Sequence, residues 1–259
     1  MNKKYIYPKR PNLKSLTDKC KDKYLSNEPY EHIYLKDVFS DEFLGDVYDE
    51  ILKQKDEPGT WYKFCTKTPN FSNFGKSTVR ITDYLVSDEW VNFIRGITGI
   101  RNLISDKGWK SSGVNFEPRG SHLQPHTDYN FKYVGWRRVN VLLFLSSKGW
   151  KEEWGGYAEN GRNNNGVCEL VNSYKPEYNS LVIFNASEKS IHGFDIVKCP
   201  EDKARIVITC YYYSNDPGPH NGKSTKTKYI EWDKDKGEDY NGRRGTGWKK
   251  INNKLDEKK

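Results

Sequence analysis

His126-Thr127-Asp128, a lone His192, and Arg205 at the head of a Val/Ile-rich run are the residues whose types and spacing promise chemistry. On a β-strand, side chains at i and i+2 point the same way, so His126 and Asp128 can reach one metal ion together. His192, brought in from a later strand, would complete two nitrogens and one oxygen on one face of an octahedron. That donor set leaves three coordination positions open and suits non-heme Fe(II). Arg205 adds a fixed cation able to hold the far carboxylate of a dicarboxylate through a two-pronged contact. Arg205, Val207 and Thr209 share one strand face, so a guanidinium and a hydroxyl can meet the same carboxylate.

Each part also has a plainer reading. A His-x-Asp triplet is weak evidence alone, since roughly 0.3 arise by chance at this composition. His122 stands four residues before His126, but Pro125 lies between them and no Glu follows His122, which excludes a helical zinc-protease motif. His32 and His220 lie outside the β-rich region and are read as structural. Arg205 by itself suits an ordinary surface salt bridge. The constellation outweighs its parts because order and spacing fit one mechanism: a metal pair at a strand end, a third ligand after a turn, and the cation one short loop later.

The elements that must position these residues are legible in outline. Residues 1–28 are Lys-rich and poorly patterned, an expected extended basic arm. His32–Leu35 reads as a short strand. Ser40 caps an amphipathic run from Asp41 to Gln54, with Phe43, Leu44, Val47, Tyr48, Ile51 and Leu52 at helical spacing. Pro58-Gly59 ends that unit. Thr78–Val86 alternates and is expected as a strand, and Asp88–Ile97 as a second helix. From Val114 onward short β-rich runs follow one another: Val114–Phe116, His122–Thr127, Arg138–Leu145, Cys168–Val171, Leu181–Phe184, Ile191–Val197 and Arg205–Tyr213. Many short strands without intervening helices indicate a sandwich or jelly roll. Asn160–Gly166 is expected as a loop or hairpin tip, Phe71–Gly75 as a rim loop, and Asp216 as the start of a polar basic tail, 216–259. No internal repeat is visible.

Size and charge narrow the classes. A chain of 259 residues with 35% hydrophobic and 14% aromatic residues supports one sizeable core without demanding two domains. No apolar run approaches the roughly 18 residues of a membrane span, and no apolar stretch follows the charged N-terminus, so neither membrane nor secretory targeting is expected. Cys20, Cys65, Cys168, Cys199 and Cys210 are scattered and odd in number, as reduced thiols of a cytoplasmic protein would be. The net charge of +8 is terminal: residues 1–23 hold eight Lys/Arg against two Asp, and 216–259 hold twelve against eight acidic residues. The near-neutral remainder argues against nucleic acid, because phosphate contacts need clustered Lys/Arg beside the pocket. Arg137-Arg138, the one internal basic pair, is read as a brace for its strand or for the rim.

Taken together, the chain resembles the Fe(II)- and 2-oxoglutarate-dependent oxygenases, in their prolyl 4-hydroxylase-like branch, from about Tyr30 to Tyr213. The motifs are Phe116-Glu117-Pro118-Arg119-Gly120-Ser121-His122-Leu123 leading into His126-Thr127-Asp128, then Arg137–Leu145, Trp150, Trp154-Gly155-Gly156, Asn179–Phe184, Ser190-Ile191-His192-Gly193, and Cys199-Pro200 to Arg205 and Tyr213. The resemblance implies a mainly β fold with flanking helices: a double-stranded β-helix (jelly roll, cupin-like) core at about 112–215, packed on N-terminal α-helices within a domain spanning 29–215. It implies Fe(II) on His126, Asp128 and His192, the distal carboxylate of 2-oxoglutarate on Arg205 and Thr209, O2 as co-substrate and ascorbate as reductant. A carboxylate at Asp128 favours hydroxylation over halogenation. The implied substrate is a peptidyl proline; a free amino acid, a small metabolite or an alkylated nucleic acid is the alternative, and a non-enzymatic jelly-roll binding module the rival reading.

Two departures from the family pattern stand out. Phe116 and Phe144 occupy positions where family members often carry tyrosine, and phenylalanine offers no hydroxyl. Asn140, on the strand face of Phe144, is the candidate for the missing polar contact. After Gly155-Gly156 the chain runs through Tyr157-Ala158-Glu159 into an Asn-rich stretch, so an unusual substrate-facing rim is expected. The oligomeric state is left open.

Overall fold

The computed structural model describes residues 13–55, 67–68, 74–132, 134–219 and 228–232. Four helices lead: α1 (Leu13–Ser26), α2 (Asp41–Lys53), α3 (Lys76–Leu85) and α4 (Asp88–Thr98), with strands β1 (His32–Lys36) and β2 (Lys67–Thr68) between them. The β-rich part follows as β3 (Ile104–Ser105), β4 (Gly113–Glu117), β5 (Leu123–Thr127), β6 (Phe131–Lys132), β7 (Gly135–Phe144), β8 (Ala158–Asn164) and β9 (Val167–Tyr174). It ends with β10 (Ser180–Asn185), β11 (Ile191–Phe194), β12 (Arg205–Ser214), β13 (Lys228–Tyr229) and β14 (Glu231–Trp232).

The strands form two sheets of a jelly roll that face each other without closing into a barrel. Along its main path the large sheet runs β1-β10-β7-β12-β4-β2, and the small one β13-β5-β11-β8-β9-β14. Alternation along the large sheet sends Ile33, Val141, Leu143, Leu181, Ile183, Ile206, Ile208 and Cys210 to one side, where they pack on the four helices. The other side sends Phe144, Val182, Phe184 and Val207 toward Ala158 of the small sheet. Helices, large sheet and small sheet are thus three layers, and the site lies between the two sheets.

The helices follow from their sequences where the caps are local. Ser40 accepts from the Phe43 amide at the start of α2, and Ser87 from the Trp90 amide at the start of α4, which ends on Gly99 at φ 75°. Two expectations need correction. Residues 13–26 are not an extended arm but helix α1, with Leu16, Cys20 and Tyr24 buried as a narrow i, i+4, i+8 stripe against the core. Thr78–Val86 is not a strand: it lies in α3 and its C-cap, with Thr78, Ile81, Thr82 and Leu85 on one buried face. Its first amides are bound by Glu50 of α2 (Ser77 N to Oε1 3.0 Å, Thr78 N to Oε2 2.7 Å) rather than by any residue of its own segment.

Two loop expectations also change. Asn160–Asn164 continues β8, so the hairpin tip shrinks to Asn165-Gly166. The tail returns: β13 pairs β5 and β14 pairs β9. Pro58-Gly59, Cys65, Phe71–Asn73 of the rim loop and His220 lie outside the described residues. The other four cysteines are buried, and among the described residues no helix is long and apolar enough to cross a membrane.

Candidate metal centre

The small sheet brings the histidines together by register. His192 of β11 lies directly opposite His126 of β5, so both side chains leave the sheet on the same face. Gly193 makes this possible: a Cβ there would stand 2.6 Å from the Leu123 carbonyl, so only glycine lets β5 approach as the register shifts. Asp128 follows just beyond the end of β5. One ligand atom from each of His126, Asp128 and His192 lies within 4.8 Å of the others, and all three residues are buried.

Orientation is fixed one bond further out. His126 Nδ1 contacts the Gln124 carbonyl at 2.9 Å and His192 Nδ1 the Ser190 carbonyl at 3.0 Å. A carbonyl only accepts, so each Nδ1 carries the proton and each Nε2 presents its lone pair inward. Those Nε2 atoms stand 3.8 Å from Asp128 Oδ1 and 3.6 Å from Oδ2 respectively. Burial, reinforced by neighbouring His192, pushes the His126 pKa down to about 4, so its imidazole is neutral at physiological pH.

Asp128 is gripped as well. Arg137 Nη1 donates to Oδ1 at 3.3 Å and the Tyr211 hydroxyl to Oδ2 at 2.5 Å. The Arg137 guanidinium lies 4.0 Å over the Tyr211 ring, so the two partners also brace each other. Burial alone would raise the Asp128 pKa, but its neighbours His192, His126 and the Arg137 guanidinium hold it well below the usual carboxylate range. Burial and the Asp128 charge drive Tyr211 the other way, so its phenol stays protonated. The sequence did not reveal either partner; the cross-strand register does.

The remaining candidates occupy the facing sheet. Phe184, Asn140 and Tyr211 are mutual register partners across β10, β7 and β12, and so form one inward row. Phe184 packs its ring 4.5 Å from that of His192. Asn140, between Phe184 and Tyr211, is buried and its Oδ1 meets no protein donor. It therefore lies at the metal end of the pocket, not beside Arg205. Thr209 stands two residues from Tyr211 on the same face, and Arg205 four residues further from the His126–Asp128–His192 cluster. Arg205 Nε donates to the Gly156 carbonyl at 2.7 Å and Nη1 pairs with Glu117, which leaves Nη2 for a ligand. Its guanidinium lies between the rings of Phe194 at 4.0 Å and Phe144 at 5.0 Å, so Phe144 is a wall of the cation's slot. Gly156, at φ 69°, would meet the Arg205 Cδ at 3.1 Å if it carried a Cβ.

His122 and His32 stay out of this centre, as the sequence led one to expect. His122 lies on the approach to β5. Buried His32 sits between the Tyr30 carbonyl at 2.7 Å and the Tyr174 hydroxyl at 2.6 Å. The donor set fits a divalent cation: two oriented Nε2 atoms and an ionised carboxylate share one face, and such a set matches Fe(II).

Comparison with known proteins agrees. Residues 112–213 match the profile of the 2OG-Fe(II) oxygenase superfamily. A prolyl 3,4-dihydroxylase OGFOD1 of Ostreococcus tauri is 25% identical over 207 residues, covering 73% of this chain and 38% of that protein. This chain therefore spans about two fifths of that relative's length. Among solved structures, a Trichoplax adhaerens prolyl hydroxylase bound to a hypoxia inducible factor peptide fragment aligns with TM-score 0.56 and 15% identity, over 82% of this chain and 94% of that one. A Pseudomonas putida prolyl-4-hydroxylase aligns with TM-score 0.51 and 18% identity, over 81% and 98%. At these identities the structural likeness speaks for the fold.

Proposed function

We propose that this chain, whose residues 112–213 match the profile of the 2OG-Fe(II) oxygenase superfamily, is a 2-oxoglutarate-dependent dioxygenase that hydroxylates a peptidyl proline. The observation that carries the reading is the convergence of His126, Asp128 and His192 on the face opposite Thr209 and Arg205. The three would hold Fe(II), Arg205 and Thr209 would receive the distal carboxylate of 2-oxoglutarate, and Asn140 would face its metal-proximal end. With both bound, the centre supplies the oxidising power that turns O2, 2-oxoglutarate and substrate into hydroxylated product, succinate and CO2.

The protein's own contribution is placement. The Gln124 and Ser190 carbonyls keep a proton on each Nδ1 and thereby keep each Nε2 available. Tyr211 and Arg137 stop the Asp128 carboxylate from rotating. Phe144, Val182, Phe184, Val207 and Ala158 line the space between the sheets with apolar surface and exclude water. The peptidyl proline is supported by the names of the relatives, among them one solved with a peptide bound. A nucleic-acid substrate is disfavoured because the internal basic pair is committed: Arg137 to Asp128, and Arg138 Nη1 to the Asp216 carbonyl at 2.8 Å. A cytoplasmic location and ascorbate as reductant belong to the same reading.

Purified protein with Fe(II), 2-oxoglutarate and proline-containing peptides should release succinate, with one peptide gaining one oxygen by mass spectrometry. Asp128→Ala and His192→Ala should abolish both signals, and undiminished turnover in either would refute the assignment. Free amino acids, small metabolites and alkylated oligonucleotides, added separately, should not stimulate turnover.

A further inference from the structure

Phe116 of β4 and Phe144 of β7 carry no hydroxyl, and neither can donate a hydrogen bond. Phe116 packs on the helix side of the large sheet, away from the pocket, and Phe144 lies under the Arg205 guanidinium. The neighbouring residue, Asn115, faces the other way. Its Nδ2 donates to Thr209 Oγ1 at 2.8 Å and stands 3.5 Å from the Val207 carbonyl. That carbonyl decides which way the amide points: an Oδ1 in the same place would set two acceptors against each other. The NH2 group therefore faces Thr209, whose oxygen is occupied as an acceptor. The hydroxyl hydrogen cannot point back at an NH2, so it is directed elsewhere.

From this we infer that Asn115 is a positioning residue of the co-substrate pocket. It makes Thr209 a committed hydrogen-bond donor toward the distal carboxylate of 2-oxoglutarate. Two residues on, along the same face of β4, Glu117 holds Nη1 of Arg205. One strand edge thus sets the direction of both anchor groups, the hydroxyl and the guanidinium. This inference rests on the oxygenase reading above and adds to it a residue that touches neither metal nor substrate.

The test is anaerobic calorimetric titration of 2-oxoglutarate into Mn(II)-loaded protein, for wild type, Asn115→Leu, Thr209→Val and the double variant. Each single variant should weaken binding about tenfold, the value of one hydrogen bond to a charged group. The double variant should lose no more than either single one, because Asn115 acts through Thr209. Asn115→Asp, which turns the bond around by accepting the Thr209 hydrogen, should bind more weakly than Asn115→Leu. In turnover the loss should fall mainly on the KM for 2-oxoglutarate rather than on kcat. Should leucine disturb β4, Asn115→Ala carries the same expectation. Wild-type affinity in Asn115→Leu, or a double variant whose loss is the product of the single losses, would overturn this inference and leave the oxygenase reading intact. A wild-type protein without affinity for 2-oxoglutarate would overturn both.

Discussion

Asp128 is the residue on which the centre turns, since it alone touches both histidines and both outer partners. Removing an outer partner of a metal ligand typically costs 10–100-fold in metal affinity. Tyr211→Phe should therefore weaken Mn(II) or Fe(II) binding by about 10-fold, toward the lower end of that range. Arg137→Met should cost more, because it strips a buried carboxylate of its cation. Competition titration against a chelator measures both, and unchanged affinity in either would show that the partner does not orient Asp128. The grouping of His126, Asp128 and His192 was legible in the sequence because their residue types and i, i+2 spacing carry their chemistry with them. Tyr211 was not. It sits in the run Tyr211-Tyr212-Tyr213, and only the sheet register separates Tyr211, bonded to Asp128, from Tyr212, whose hydroxyl turns to the Leu85 carbonyl at 2.7 Å. Arg137 was read as a brace for strand or rim for the same reason: its contact with Asp128 is made across the fold.

Among the elements, those with local signals were read correctly and those capped or buried by distant partners were not. α2 and α4 announce themselves through Ser40 and Ser87. α3 begins at Gly75 with no side-chain cap of its own, and its β-branched residues imitate a strand. Glu50 supplies the missing acceptor, to two backbone amides and to the Thr78 hydroxyl at 2.8 Å. Glu50→Ala should therefore destabilise the protein by about 1–2 kcal/mol, as loss of a cap does, visible as a lower melting temperature without loss of metal affinity. α1 escaped notice because three buried residues are diluted by lysines. Strand β1 carries a pH-dependent contribution. Burial lowers the His32 pKa below 6.5, so the unfolded chain takes up the proton first. Stability that is full above 6.5 is lost as pH falls toward the folded value. His32→Gln should flatten that slope in the metal-free protein, measured by denaturant unfolding from pH 7 downward; an unchanged slope would remove His32 as its source.

For the whole molecule, the helices support the large sheet, and the large sheet supports the floor of the site. The small sheet, which carries both histidines, has no helical layer behind it among the described residues. Its support includes the returning segment 228–232: the Ile230 amide donates to the Pro125 carbonyl at 2.8 Å, and the Gln124 side chain to the Ile230 carbonyl at 3.3 Å, both one or two residues from His126. Ile230 also packs on Cys168 and Ile191, next to His192. Removing residues 220–259 should leave the helix-backed sheet folded yet weaken metal binding; equal affinity would show that the tail adds nothing to β5. The same segment has a second consequence. β13 and β14 occupy the two outermost positions of the small sheet, where bare strand edges would otherwise offer unpaired amides and carbonyls to another molecule. The tail thus guards against edge-to-edge association, and the shortened chain, concentrated, should self-associate where the full one stays dispersed.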